Sequence, residues 1–347
     1  MGQDGRAIIR GMKRAETDEY YKVLCEDYPD WLDDYLPMKR LQAEKYISMT
    51  CGTAYSDMSG IDTFYSNYDH TIAVALMVWH FTHDKKQALA GLFHDIATPA
   101  FKHCVDYLNG DYLTQESTEA LTTYFIKESK NTMSLLARDG IKVEEVDDCH
   151  RYPVLDNDTP KLSVDRLEYT LSGAMYSYGG LSFEDVKEIY EDIEVQRNEK
   201  GEPELGFKTK AIARKFVRLA SKFSMMYRNG RNVYSVQFIA DLLKRICDDG
   251  LLSVKQLYEL KESEVIGIIR SSKYASVFEK WARAKRVKTS KERPQGVYCV
   301  RQETKVRYID PLRNGQRMSK ICKISKRAID KCLAYNLGDY VYLDFDF

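Results

Sequence analysis

Net charge is the first thing this chain lacks. Its 347 residues hold 52 lysines and arginines against 52 aspartates and glutamates. The overall balance therefore gives no electrostatic handle for a nucleic acid or an acidic membrane surface. Long apolar runs are also missing. The longest, Thr71 to Trp79, falls well short of the roughly 20 residues that cross a bilayer, so no membrane segment is expected. The eight cysteines are spread from Cys25 to Cys332 without a single Cys-x-x-Cys pair. That spacing excludes a zinc ribbon and a small disulfide scaffold. The N-terminal residues show no secretory signal pattern, and Arg6 stands where a myristoylation signal needs serine or threonine. A reducing, cytoplasmic setting is the expectation. Histidine is scarce as well, with six in the chain: His70, His80, His83, His94, His103 and His150.

What is present reads as a globular, mainly helical protein. Apolar residues make up 44% and charged residues 30%. The 25 tyrosines imply many half-buried aromatic positions with a hydrogen-bonding end. Residues 1–45 carry apolar side chains at three- and four-residue spacing, interrupted at Pro29 and Pro37. A polar loop from Tyr55 to Asn67 leads into a helix buried on most sides, with His70 in its first turn. A second helix carries Ala88 to His94 and bends at Pro99. Further helices are predicted over Leu113–Phe125, Met133–Ala137, Leu162–Met175, 209–229, 233–248 and within Leu257–Ile269. A hairpin is predicted from Ile193–Gln196 and Glu204–Phe207 around the turn Asn198–Gly201. A basic cluster (Arg283, Lys285, Arg286, Lys288, Lys291, Arg293) ends at Pro294 and reads as a boundary or solvated face. A nucleic-acid contact there has weak support, since Trp281 is the one aromatic beside it. Beyond it, alternation over Val297–Ile309, an Asn314-Gly315 turn, a helix near Ser325–Tyr335 and a strand at Tyr340–Leu343 suggest a small α+β module. The organisation read from the chain is a helical core over 1–285 and a C-terminal module over 286–347.

The densest chemistry lies in Gly91-Leu92-Phe93-His94-Asp95-Ile96-Ala97-Thr98-Pro99-Ala100-Phe101-Lys102-His103. A lone histidine on an apolar helix is usually a core residue, and His83-Asp84 reads as a plain loop pair. The combination is more specific. His70 opens one buried helix, His94-Asp95 closes the next, and Asp165 sits on a later one in Ser163-Val164-Asp165-Arg166-Leu167-Glu168-Tyr169. An unpaired aspartate in such a helix costs several kcal/mol, on the order of magnitude of any uncompensated buried charge. One divalent cation would resolve that cost for two carboxylates together. Two imidazoles and two carboxylates suit Mn, Fe, Ni, Zn or Mg and not a thiolate-seeking metal.

These residues also carry a family resemblance. Tyr68-Asp69-His70-Thr71, His94-Asp95 and Val164-Asp165-Arg166 resemble the His…His-Asp…Asp signature of the HD-domain phosphohydrolases. The stretch from His94 to His103 resembles the HDxGHxPFxH segment of the deoxynucleoside triphosphate triphosphohydrolase branch, and Asp165-Arg166-Leu167-Glu168-Tyr169 its D-[RK]-x-D-Y helix. The likeness is good over about residues 35–175 and looser to about 270. Three positions depart from the branch: Asn67 replaces an arginine, Thr98 a histidine, and Gln115 a second catalytic histidine.

The resemblance implies an HD-domain helical core and one divalent metal on His70, His94, Asp95 and Asp165. It also implies hydrolysis of a phosphate ester, with a nucleotide as the expected small phosphorylated substrate. His103, Asp106 and Glu116 are the candidate catalytic residues, with His103 the best candidate for protonating a leaving oxygen. Arg166 and Tyr169 are expected to hold phosphate and base or sugar, and Tyr234 to stack on the substrate. Homo-oligomers are expected by resemblance alone. The alternative is a non-catalytic HD-fold sensor or scaffold with a structural metal, binding nucleotide or nucleic acid.

Overall fold

The central helix starts at a capping box. The Asp69 N–H donates to Ser66 Oγ at 3.1 Å, and the Ser66 N–H donates back to Asp69 Oδ2 at 3.0 Å. In the computed structural model, which describes residues 12–111, 113 and 121–347, this fixes the first turn of the helix Asn67–Thr82. The helix is apolar nearly all round, and every residue from His70 to Val78 is buried. His83 then turns the chain in the left-handed conformation (φ 48°), and Asp84 caps the returning helix Lys85–Phe93 by accepting from the Lys86 and Gln87 N–H groups. Gly91 lets the two helices touch, because a Cβ there would stand 3.3 Å from Val74 Cγ1. The helix Val164–Ser172, capped by Ser163, packs across the central helix and runs on into one π-helical turn, Gly173–Ser177. These three helices place all four predicted metal ligands.

The rest frames them. Shorter helices Asp18–Leu24, Leu32–Tyr35 and Lys39–Glu44 pack on one side. The hairpin Ile193–Arg197/Pro203–Phe207 forms as predicted, antiparallel, with Ile193 opposite Phe207. It is followed by the long helices Lys210–Tyr227 and Gly230–Asp248. The protein is thus mainly α with small β parts, as the sequence leads one to expect. Of the predicted helix Leu113–Phe125, the described part is Thr122–Glu128, and residues 112 and 114–120 lie outside the described structure. No helix among the described residues is long and apolar enough to cross a membrane.

Residues 286–347 are woven into the helical part. Leu312–Arg313 adds a parallel strand to the hairpin through Gly206 and Phe207. It then turns at Asn314-Gly315, both at positive φ, to pair with Gln316–Arg317. The buried Arg317 grips the hairpin, donating to Glu204 Oε2 and Glu199 Oε2, each at 2.8 Å. The helix Lys323–Leu333 lies on Lys210–Tyr227. Tyr340–Tyr342 pairs with Lys288–Ser290 and Cys299–Val300, and Val300, Val341 and Phe345 share a core with Phe238 and Trp281.

The predicted alternation over Val297–Ile309 yields only the two-residue strand Cys299–Val300. Residues 301–310 are irregular, and Thr304, Lys305 and Arg307 among them border a cavity. Three members of the basic cluster are paired with surface carboxylates: Arg283 with Glu279 at 3.4 Å, Lys285 with Asp57 at 3.0 Å and Lys288 with Asp344 at 2.6 Å.

Candidate metal centre

The three ligand helices converge at the floor of a cavity of about 530 Å³. His70 Nε2 lies 3.2 Å from His94 Nε2 and 3.3 Å from Asp165 Oδ1. His94 Nε2 is 3.6 Å from the same oxygen. Asp95 places Oδ1 at 3.9 Å from His94 Nε2 and Oδ2 at 3.9 Å from His70 Nε2. Donors bound to one ion at about 2.0–2.2 Å stand roughly 3–3.5 Å from each other. His70, His94 and Asp95 thus bring donor atoms within 4.8 Å of one another, and Asp165 adds an oxygen against both imidazoles. His70 is 1% exposed, so its polar atoms need partners inside the protein.

Both rings are oriented from behind. Glu168, one turn after Asp165 and fully buried, takes the N–H of His70 Nδ1. Gly91 O accepts from His94 Nδ1 at 2.7 Å. With Nδ1 protonated on each ring, both Nε2 lone pairs face the same point, the usual arrangement behind metal-bound histidine. Glu168 is itself held by the hydroxyls of Tyr65 (2.6 Å), Tyr20 (3.2 Å) and Ser172 (3.3 Å). Burial opposes charge on the His70 ring, but Glu168 and Asp165 outweigh it and raise its value to about 10. Asp165 and Asp95 are both held below the usual carboxylate range despite burial, Asp165 by the two imidazoles and Asp95 chiefly by Lys102. A metal held here would take the Nε2 position of His70 in place of a proton.

Glu168→Gln should weaken metal binding about 10- to 100-fold, the usual cost of removing a partner behind a ligating histidine. Competition with a chromogenic chelator measures this, and unchanged affinity would remove Glu168 from the centre.

Lys102 is the feature that sequence reasoning missed. Its ammonium donates to Asp95 Oδ2 at 2.8 Å and to Asn67 Oδ1, with Met49 Sδ at 3.2 Å. Asn67 Nδ2 in turn donates to Glu44 Oε2 at 3.1 Å. Lys102 thus sets a cation against Asn67, the position at which the resemblance leads one to expect an arginine. The backbone takes an unusual course to put it there, with Phe101 at φ 67° and Lys102 at φ 46°, ψ −122°. The Phe101 N–H donates to buried Glu262 Oε1 at 3.1 Å. Gly52 makes room for the Phe101 ring, since a Cβ there would meet Phe101 Cδ1 at 2.6 Å. Arg40 clasps the turn just before, donating to the carbonyls of Ile96, Thr98 and Tyr258. A signal was present: one lysine amid Ala100, Phe101, Cys104 and Val105, all buried.

The other predicted residues fall out as follows. Arg166 and Tyr169 line the cavity. Arg166 Nη1 donates to Asn157 Oδ1 at 2.6 Å, and Nη2 lies 3.6 Å from Asp156. His103 lines it too, its Nδ1 bonded to buried Asp106 Oδ2 at 2.9 Å and its Nε2 3.4 Å from Arg307 Nη2. Burial in the cavity wall pushes the His103 imidazole below its usual value, and Asp106 only partly offsets this against Arg307. Glu116 and Gln115 lie outside the described residues. Tyr234 needs correction. Its ring is fully buried, stacked on Phe238 at 5° and 6.1 Å, and does not line the cavity. Its neighbours Asn232 and Val236 do, and Tyr169, Tyr178 and Tyr227 supply the aromatic wall. Thr304, Lys305 and Arg307 complete the rim from the C-terminal residues.

No protein-family model matches the chain. It is 28% identical over 214 residues to the uncharacterized protein YdhJ of Bacillus subtilis, covering 61% of this chain and 63% of that protein. It is 23% identical over 148 residues to the metal-dependent phosphohydrolase cns2 of Cordyceps militaris, covering 41% of each. The matches thus span less than two thirds of either curated relative. The crystal structure of a hypothetical protein from Aquifex aeolicus superposes with a TM-score of 0.62 at 15% identity, covering 91% of this chain and 93% of that one. At that identity the likeness is one of fold.

Proposed function

We propose that this protein is a metal-dependent phosphohydrolase of the HD-domain type, acting on a nucleotide or a related small phosphate ester. The observation that carries the reading is the coincidence of two features in one cavity. Its floor gathers the donor atoms of His70, His94, Asp95 and Asp165, and its wall carries Lys102, Arg166, Lys305 and Arg307. Carboxylates and imidazoles at metal-ligand spacing below a cationic wall suit a phosphate group held against a divalent ion. The distant, partial similarity to a protein described as a metal-dependent phosphohydrolase supports the same class.

A divalent ion, when bound, supplies Lewis acidity and an acidified water. The protein's own residues do the remainder. Arg166 is pre-oriented by Asn157 and Asp156 and presents its guanidinium to phosphate oxygens. Lys102 places a second positive charge beside Asp95, where negative charge grows as a phosphoryl group is attacked. Tyr169, Tyr178 and Tyr227 offer flat apolar faces for a base or sugar. His103 directs its Nδ1–H at Asp106, and its Nε2 lone pair faces Arg307 Nη2 at 3.4 Å. A ring held below its usual value is neutral at physiological pH, so His103 suits a general base that accepts a proton better than the acid expected from the sequence.

The test is a substrate panel of nucleotides and phosphomonoesters with added Mn²⁺. Turnover is expected for at least one member, and Asp165→Ala should abolish it. Nucleotides that raise the melting temperature without being hydrolysed would replace this reading with a sensor.

A further inference from the structure

We propose that the mouth of the cavity carries a second cation site of different chemistry, formed by Cys149, His150 and Asp156 and suited to zinc or another thiophilic divalent ion. Cys149 and His150 open a single 3-10 turn, Cys149–Arg151, which Asp148 caps by accepting the His150 N–H at 3.0 Å. The chain then folds back through a turn in which the Asp156 N–H donates to Tyr152 O at 3.0 Å, returning Asp156 to the side of His150. The imidazole stands between the other two groups. Nδ1 is 3.7 Å from Cys149 Sγ, and Nε2 is 3.3 Å from Asp156 Oδ2. One donor atom from each residue lies within 4.8 Å of the other two.

The two oxygens of Asp156 have separate duties. Oδ1 accepts from the Asn157 N–H at 2.8 Å and from Ser163 Oγ at 3.4 Å, and faces Arg166 at 3.6 Å. Oδ2 faces His150. A His150–Asp156 ion pair accounts for one side of the ring, and at the other nitrogen the thiol stands beside Asp148 Oδ1, which is 3.4 Å from Nδ1. A thiolate at about 2.3 Å and an imidazole at about 2.0 Å from one zinc ion stand roughly 3.5 Å apart, close to the sulfur–nitrogen separation seen here. The His150 side chain is 51% exposed, so a small rotation of the ring selects the ligating nitrogen.

All three residues line the same cavity as the first centre and share no donor atom with it. Three protein donors leave a coordination position open toward the cavity, the arrangement in which a bound ion contacts water or an entering oxyanion. The first centre offers only nitrogen and oxygen, so sulfur is the spectroscopic label of the second.

The experiment is a Co²⁺ titration of the full chain, followed by near-ultraviolet and visible absorption. Wild-type protein should develop a thiolate-to-cobalt charge-transfer band before two equivalents are reached. Cys149→Ser should lose the band while keeping the cobalt d–d absorption of the first centre, which also shows that the variant is folded. His150→Ala should weaken the ion responsible for the band at least about tenfold. Asp95→Ala should keep the band, whatever its effect on hydrolysis, so failure here and failure of the phosphohydrolase reading are read separately. Absence of the band at two equivalents, or its persistence in Cys149→Ser, overturns the proposal.

Discussion

Asp95→Ala should leave the protein purified without the metal of its first centre. Wild-type chain is expected to carry about one ion there, and the variant to retain less than about a tenth of that after gel filtration. The carboxylate faces both imidazoles, Oδ2 at 3.9 Å from His70 and Oδ1 at 3.9 Å from His94. It is also the group on which Lys102 rests. Its removal therefore strips a ligand and leaves an ammonium ion, 5% exposed, pointing at the place where a cation must bind. The second effect repels the metal that the first releases, so added metal should not restore binding easily. Hydrolysis should fall by roughly 10³ or more, the order at which one electrostatic catalytic element acts. Elemental analysis beside initial rates checks both, and first-centre metal retained at stoichiometry would sink the ligand assignment.

Lys102→Met should separate the two properties. The substitution keeps the length of the side chain and removes the charge. A positive charge 2.8 Å from a metal-ligating oxygen opposes the ion, so the variant should hold its metal at least as tightly as wild type. Turnover should nevertheless drop by about 10²–10³, the typical loss on deleting one group aimed at developing negative charge. Stability moves in a telling way. Stranding a fully buried charge costs roughly 3–5 kcal/mol, and Asp95, whose side chain is 27% exposed, should cost less than that. A bound cation supplies Asp95 with a substitute, so the fall in melting temperature should be larger with chelator than with saturating metal. Equal falls in both conditions, or unchanged turnover, would make Lys102 a packing residue.

The candidate ligands stood out in the sequence, and the fold brings their side chains together. His94 and Asp95 interrupt a mostly apolar run, His70 opens the apolar helix that continues to Val78, and Asp165 lies on a helix with Val164, Leu167 and Leu171. Lys102 is equally conspicuous, but its partner lies seven residues back and is reached only because Phe101 and Lys102 adopt positive φ. No helical or strand periodicity encodes that reversal. Tyr234 illustrates the opposite difficulty. On the helix Gly230–Asp248 it is followed two residues later by Val236, and spacing alone did not say which of them meets the cavity and which meets Phe238. The helical class and the hairpin followed from local pattern. The contribution of Thr304, Lys305 and Arg307 did not, because it depends on a parallel strand pairing with residues far earlier in the chain.

That pairing sets an order of events on the ribosome. The ligands of the first centre all lie between residues 70 and 165, and the cationic rim at 304–307 is translated only after the two long helices Lys210–Tyr227 and Gly230–Asp248. Joining Gly206 to Leu312 encloses both helices within one loop, a non-local contact of the kind that forms late. In chain order, the residues proposed to hold the ion therefore precede the charges of the cavity rim.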